Sequence, residues 1–573
     1  MKKLLRFLKG YKKECIIAPL FKMLEAIFEL FVPLLVADII DIGIANKNGE
    51  YIEKRVLIMV LFGVIGLSCT LVAQYFAAKA AIGFGSRTRR ALYSHMQKLS
   101  YTELDLIGTD TLLTRLTADI NQVQNCVNLT IRLLLRSPFI VFGAMIMAFT
   151  VDAKSAVTFA VMIPALSVIV FGIMIATIPL YKKVQSALDK VLGATRSNLS
   201  GTRVVRAFCR EDREIDEYTY KNDYLSHINR ITGRISALQS PLTFVVVNLA
   251  IVALIHTGAI RVNSGSLSQG QLVALYNYMS QILIELVKLA NLIVTMTKAT
   301  ASAGRVQTVF ETQSSMDFGT QTLEEIDEIS FENVSFCYKN AGENSISNIS
   351  FKAQRGQTVG ILGGTGAGKT TLVNLAARFY DCSDGKVLIN GRNIAEYNEN
   401  SLREKIAVVP QKPSLVSGTI RDNLLWGNKD ATDEQLNSAL ETAQALDVIN
   451  SKENGIMEML SYGGKNLSGG QRQRLTIARA LVRRPDVLIL DDSLSALDYS
   501  TDLKLRTALS QMENPPLKLI VSQRASSLIN ADLIIVLDDG EAVGVGKHDE
   551  LLDNCEVYRE IYYSQFEKGG AEK

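Results

Sequence analysis

Residues 357–371 read Gln357-Thr-Val-Gly-Ile-Leu-Gly-Gly-Thr-Gly-Ala-Gly-Lys-Thr-Thr371. The run 357–362 predicts a strand. Gly363, Gly364, Thr365, Gly366, Ala367, Gly368, Lys369 and Thr370 follow at once, and a helical pattern begins near Thr371. This is G-x-x-x-x-G-K-T between a strand and a helix. The glycines let backbone N–H groups turn inward around phosphate oxygens, and the new helix adds its positive N-terminal end. Lys369 supplies a point charge for β and γ phosphates, and the Thr370 hydroxyl is a magnesium ligand. A chance glycine-rich turn would need neither the Lys-Thr pair nor the strand–helix context.

Outward from this loop, β-rich runs at 357–362, 387–389, 406–409, 487–490, 519–521 and 533–537 alternate with helical patterns. That alternation predicts an α/β domain with a largely parallel sheet over residues 329–573. The run Val487-Leu488-Ile489-Leu490 closes on Asp491. A buried strand ending in a carboxylate beside a phosphate loop is how magnesium is held in such sites. Alone the pattern is weak, since many strands end in Asp. A polar, acidic linker precedes the domain at 311–328.

The other half differs in kind. The 573 residues are 48% hydrophobic and only 21% charged, with a mean hydropathy of +0.16. That excludes a disordered chain and is too apolar for an ordinary soluble enzyme. The net charge of +3 gives no sign of nucleic-acid binding. Cysteines 15, 69, 126, 209, 337, 382 and 555 form no CxxC pair, which argues against a zinc site or disulfide framework. The apolar excess lies in residues 1–310. Segments 56–78, 155–181 and 235–260 carry no formal charge, and each exceeds the roughly 20 helical residues that cross about 30 Å of hydrocarbon. Segments near 15–42, 128–151 and 272–297 are apolar but punctuated. Six spanning helices are expected, with long helical loops at 84–127 and 182–234. Those loops are rich in Lys and Arg, which puts them and both termini in the cytoplasm. The start, MKKLLRFLKGYKK, reads as an amphipathic helix on the cytoplasmic face.

Lys22, Glu25 and Glu29 lie on one face of the first span, and Glu285 and Lys288 are an i, i+3 pair on the sixth. Two readings stand: a polar patch for cationic cargo, or charges paired with one another between helices.

The segment Leu467-Ser468-Gly469-Gly470-Gln471 resembles the signature of the ATP-binding-cassette family, and the resemblance covers nearly the whole chain. It implies a membrane all-α six-helix transmembrane domain followed by an α/β P-loop nucleotide-binding domain: a half-transporter that works as a dimer and uses ATP and Mg2+. Tyr338 then takes the place of the aromatic that stacks on adenine. Gln411, in Val-Val-Pro-Gln, matches the glutamine that senses the γ-phosphate and metal, and Asp498 lies in the loop communicating between nucleotide sites. Thr371 and Ser468 to Gln471 join the nucleotide-binding set, with Thr370, Gln411 and Asp491 at the metal. The membrane-half stretches 114–119 and 201–208 resemble bacterial exporter subunits, which implies the plasma membrane of a bacterium.

Two departures carry information. The family usually has Glu after the magnesium Asp; here it is Asp492, one methylene shorter. The family's switch segment is Ser-His-Arg; here it is Ser522-Gln523-Arg524. Gln donates a hydrogen bond but carries no proton charge. Together they resemble the degenerate half of a heterodimeric exporter, whose partner would carry the Glu and the His. In that reading Asp492, Gln523 and Gln411 serve a weakly hydrolytic site, and the signature serves the partner's competent site. The expected cargo is an amphipathic drug or lipid. Two alternatives stand beside it: a homodimer with slow sites, or an ATP-binding regulatory membrane subunit. Residues near 102–109 and 211–220 are the expected coupling loops.

Overall fold

The computed structural model describes residues 3–565. They form two compact units: 3–97 with 108–312, and 98–107 with 313–565.

The first unit is helical. A short tight helix, Leu4–Tyr11, precedes α1 (Lys12–Asp38) and α2 (Gly49–Met96). The segment Tyr101–Ile107, α3, belongs to the other unit. Next come α4 (Ile120–Leu133), α5 (Arg136–Val151), α6 (Ala153–Ser200), α7 (Glu211–Ala237), α8 (Gln239–Asn263) and α9 (Gln269–Glu311). Side-chain caps set several starts. Asn48 accepts from the Tyr51 amide at 3.1 Å and Asp152 from the Ser155 amide at 2.9 Å. Ser268 and Gln271 form a capping box on α9, and Asp41 accepts from the Gly270 amide at 2.7 Å.

Among the described residues, five helical stretches are long and apolar enough to cross a membrane: 49–96, 109–151, 153–200, 211–263 and 269–311. The longest uninterrupted helices have 48 residues, about 72 Å, well beyond a bilayer core. The sequence predicts long helical loops, and the segments 84–127 and 182–234 are largely helical, with breaks near 97–100, 108 and 208–210. The remaining expected span, α1, is 27 residues long. Its Lys22, Glu25 and Glu29 put three charges in every 18-residue stretch of it, which sets it apart from the five.

Ala73, Ala77, Ala80 and Ala81 are buried along α2; side chains this small let helices approach closely. Tyr278 and Met279 lie fully buried in the core with Ala26, Leu30, Ala144 and Phe159. The Tyr278 hydroxyl donates to the Leu30 carbonyl at 2.7 Å.

The punctuating charges pair with one another, and Arg136 is their hub. Its Nη1 donates to Glu285 Oε1 at 2.7 Å and its Nη2 to Glu29 Oε2 at 2.7 Å. Glu25 lies 3.6 Å from Nη2 and takes Lys22 Nζ at 2.5 Å. Lys288 Nζ and Ser137 Oγ both donate to Glu285, each at 2.7 Å. Three cations thus face three carboxylates across α1, α5 and α9. Five of the six are the charges singled out in the sequence; Arg136, near the start of the 128–151 segment, is the sixth.

The second unit is α/β. Its larger sheet contains β3 (Thr358–Gly363), β6 (Ile406–Val409), β7 (Val487–Asp491), β8 (Leu517–Ser522), β9 (Leu533–Asp538) and β10 (Glu541–Gly546). The order is β10-β9-β3-β8-β7-β6. All neighbours are parallel except the β9–β10 hairpin. A second sheet, absent from the sequence expectation, is antiparallel in the order β2-β1-β4-β5, from β1 (Glu328–Phe336), β2 (Ile346–Gln354), β4 (Asp384–Ile389) and β5 (Arg392–Asn393). Of its strands only β4 was expected. β1 and β2 have buried faces that alternate with solvent-facing polar residues, a weaker signal than the continuous apolar runs of the parallel strands.

Segment 98–107 packs into this unit. The Tyr380 hydroxyl donates to Asp105 Oδ2 at 2.5 Å. The Tyr101 ring lies 4.8 Å from that of Phe379. Glu103, 3% exposed, accepts from the Ser100 hydroxyl. Burial pushes the Glu103 carboxyl up, but the hydroxyls of Ser100 and Ser315 and nearby backbone amides outweigh it and hold the carboxyl below its usual range.

Candidate active site

Parallel register brings the site together. Leu362 pairs with Ser522, and Val521 with Asp491. The carboxyl ends of β3, β7 and β8 therefore lie side by side, where ligands bind in open parallel sheets.

Gly363 closes β3, and Lys369 opens α10 (Lys369–Ala376). Between them Gly366 and Gly368 both hold φ at +90°, a region that costs a side-chain-bearing residue free energy and glycine little. At Gly368 a Cβ would also meet the Ser345 carbonyl oxygen at 2.5 Å. Thr365 and Gly364 are exposed and Ala367 is buried against the core. Lys369 turns back over the loop: its Nζ donates to the carbonyl oxygens of Gly363, at 3.0 Å, and Gly364. Burial pushes this ammonium below the usual lysine range, against the opposing pull of Asp492 and Asp491.

Thr370 Oγ1 donates to both oxygens of Asp491, at 3.0 and 3.1 Å. Burial, with Asp492 alongside, raises the Asp491 carboxyl above the usual carboxylate range, while Thr370 and Lys369 oppose the rise. A buried carboxylate that holds its proton more tightly than in water is short of positive charge. With the Thr370 hydroxyl it offers the oxygen donors that suit Mg2+, which takes one or two carboxylates and leaves its other positions to water and phosphate. Among the described residues no three His, Cys, Asp or Glu side chains converge on a metal. These residues fit Mg2+, which when bound neutralises charge developing on the phosphates.

Asp492 adopts φ +46°, fixed by its amide donating to the Val521 carbonyl at 3.2 Å and its carbonyl accepting from Ser495 Oγ at 2.7 Å. Gln411 Nε2 donates to Asp492 Oδ2 at 3.1 Å. Gln523 follows β8 with an exposed side chain. Its carbonyl accepts from Gln565 Nε2 at 2.8 Å, while Gln565 Oε1 accepts from the Ala525 amide at 2.9 Å. Gln565 thus braces the switch segment from far along the chain; no local sequence signal marks it.

A cleft of about 680 Å³ opens over the phosphate loop. Tyr338, Gly366, Gly368, Lys369, Thr370 and Thr371 line it. The Tyr338 ring stands edge-on to Phe336 and Tyr380, at 4.8 and 5.4 Å, and its hydroxyl lies 3.2 Å from Thr371 Oγ1. The sequence reading missed two walls, Ala341–Ser345 and Asp539-Gly540. The second had a signal, since Asp-Gly between two strands marks a tight hairpin.

Ser468 to Gln471 stand apart from the cleft lining. Ser468 caps α11 (Gly469–Val482), and Gln471 closes a capping box with it. Ser468, Gly469 and the first turn are exposed or half-buried. Asp498 likewise caps a helix, α12 (Tyr499–Ser510). Hydrogen bonds from Ser500 and Thr501 hold its carboxyl well below the usual range.

Comparison with known proteins agrees with this arrangement. Residues 15–286 match the family model described as ABC transporter transmembrane region and residues 346–495 the one described as ABC transporter. The chain is 34% identical over its whole length to the whole of YfiB of Bacillus subtilis, named an uncharacterized ABC transporter ATP-binding protein. It is 31% identical to YgaD of the same organism over 99% of both chains, a protein named provisionally for multidrug export. A bacterial Atm1-family ABC exporter with ATP bound shares the fold, with a TM-score of 0.81 over 98% of this chain and 99% of that one, at 21% identity. A helical transmembrane region, a phosphate loop with its magnesium carboxylate and a signature helix on one polypeptide make this chain a member of the ABC transporter family, an ATPase coupled to transmembrane transport that uses ATP and Mg2+.

Proposed function

We propose that this chain is the degenerate half of a two-chain bacterial exporter, with six spans in residues 1–310, a linker at 311–328 and the ATP-binding domain at 329–573. Both termini and the long loops lie in the cytoplasm, and the cargo is an amphipathic drug or lipid leaving the cytoplasm or inner leaflet. The observation that carries the reading is the pair Asp492 and Gln523 at the carboxyl ends of β7 and β8. The short carboxylate hydrogen-bonds Gln411, and no histidine takes the switch role. His548, the one histidine of the second unit, is held by the Tyr558 hydroxyl at 2.7 Å.

Each ATP would lie between one chain's phosphate loop and the other's signature. The exposed, capped Ser468–Gln471 turn, apart from this chain's own cleft, supports that division. This chain would then hold ATP with Lys369, Thr370 and Asp491 but turn it over slowly, and its signature would complete the partner's site. Segment 98–107, packed against the ATP-binding domain, supports a coupling role for residues near 102–109.

The test is ATP turnover by the chain purified alone in lipid, together with its particle mass. A near-silent chain that still binds ATP, made active by a second half-transporter carrying Glu and His, is expected. Robust turnover as a homodimer would overturn the reading.

A further inference from the structure

A cavity of mixed polar and apolar lining, with Leu503, Leu509 and Ile520 among its walls, lies at the opposite end of β8 from the switch. Its volume is about 160 Å³, and its walls include Thr358, Arg506, Thr507, Ser510, Lys518 and Asn530. That volume has room for a small oxyanion with several waters.

Lys518 is its unusual member. It sits inside β8, between β3 and β7, and is 5% exposed. Lysine is almost never buried to that degree without a partner. Among the described residues Lys518 makes no side-chain hydrogen bond or ion pair. Its acidic neighbour, Asp532, is exposed and accepts from the Thr358 amide at 2.7 Å. A second cation is present but already satisfied: Arg506 pairs with Asp502 at 3.0 Å and donates to the Ser527 carbonyl at 3.0 Å. The exposed Asn530 belongs to the same lining. A lysine side chain buried to this degree without a hydrogen-bond partner is disfavoured, and a bound anion would offset that.

We propose that this cavity is a binding site for a small oxyanion of the phosphate class, with Lys518 as its charge partner and Asn530 at its mouth. Nothing in ATP binding or hydrolysis uses either residue. β8 joins the two places directly: Lys518 is its second residue and Ser522 closes it before Gln523.

The test uses the full chain in lipid nanodiscs, with the nucleotide site filled by Mg2+ and a non-hydrolysable ATP analogue. Inorganic phosphate is titrated at constant ionic strength, and the unfolding midpoint is read. A ligand that binds only the folded state raises the midpoint as its concentration passes Kd. The phosphate concentration at which the midpoint begins to climb should rise at least tenfold in Lys518→Met and in Asn530→Asp, which sets a carboxylate at the mouth. If Lys518→Met fails to fold, Asn530→Asp decides alone, because the residue is exposed. A flat response in the unaltered chain, or the same response in chain and variants, overturns the proposal.

Discussion

The amide nitrogen of Gln411 donates to Oδ2 of Asp492 at 3.1 Å, so the glutamine expected to sense the γ-phosphate grips the carboxylate expected to position water. Asp is one methylene shorter than Glu, and a displacement of about 1 Å can cost about a hundredfold in rate. Asp492→Glu should therefore raise turnover about 10- to 100-fold where this chain forms both sites, and Gln523→His should add to it. Steady-state Mg-ATPase of the single and double variants in lipid checks this. Unchanged rates in all three would show that neither position limits hydrolysis.

Tyr338 offers two separable contributions to the nucleotide cleft, a ring face and a hydroxyl 3.2 Å from Thr371. If the ring stacks on adenine, Tyr338→Phe should keep ATP affinity within about twofold, whereas Tyr338→Ala should lose about 1–3 kcal/mol. Lys369→Ala should cost more than either, since it removes a charge aimed at phosphate. Equilibrium binding of a fluorescent ATP analogue orders the three. Equal loss in Phe and Ala would assign the effect to the hydroxyl.

Arg136 holds Glu29 and Glu285 at 2.7 Å each from a buried position. Removing one partner of a buried ion pair costs about 3–5 kcal/mol. Arg136→Met should therefore destabilise the helical unit far more than Lys288→Met, whose side chain is 42% exposed and whose loss leaves Glu285 held by Arg136 and Ser137. Thermal unfolding in detergent distinguishes them, and equal midpoints would deny Arg136 its role as hub.

The chain's legibility follows from where its signals are local. The phosphate loop, Asp491 and the signature were readable because a fixed spacing carries the chemistry. The parallel strands were readable because burial on both faces makes them continuous apolar runs. β1 and β2 were not, since one-sided burial dilutes the pattern. Arg136 looked peripheral because its partners are 107 and 149 residues away in sequence. Gln565 and Lys518 gave no sign at all: one acts through backbone groups about 40 residues upstream, and the other is unusual only once its burial is known.

Glu103 accepts from the Ser100 hydroxyl within segment 98–107 and ties the segment to its unit through Ser315. Its carboxyl lies below the unfolded value of about 4.3. A depressed acid contributes stability that is present above the unfolded pKa and lost as pH falls through the folded one. Segment 98–107 should thus stay protected from hydrogen exchange at neutral pH and loosen only below about pH 4.3, after correction for intrinsic rates. Glu103→Gln removes the charge that the hydroxyls hold, so it should loosen the segment at pH 7 and flatten the acid response. If coupling runs through this segment, the same variant should lower cargo-stimulated ATPase more than basal ATPase. A variant whose exchange profile and pH dependence matched the unaltered chain would show that aromatic packing at Tyr101 and the Tyr380–Asp105 hydrogen bond suffice to hold the segment.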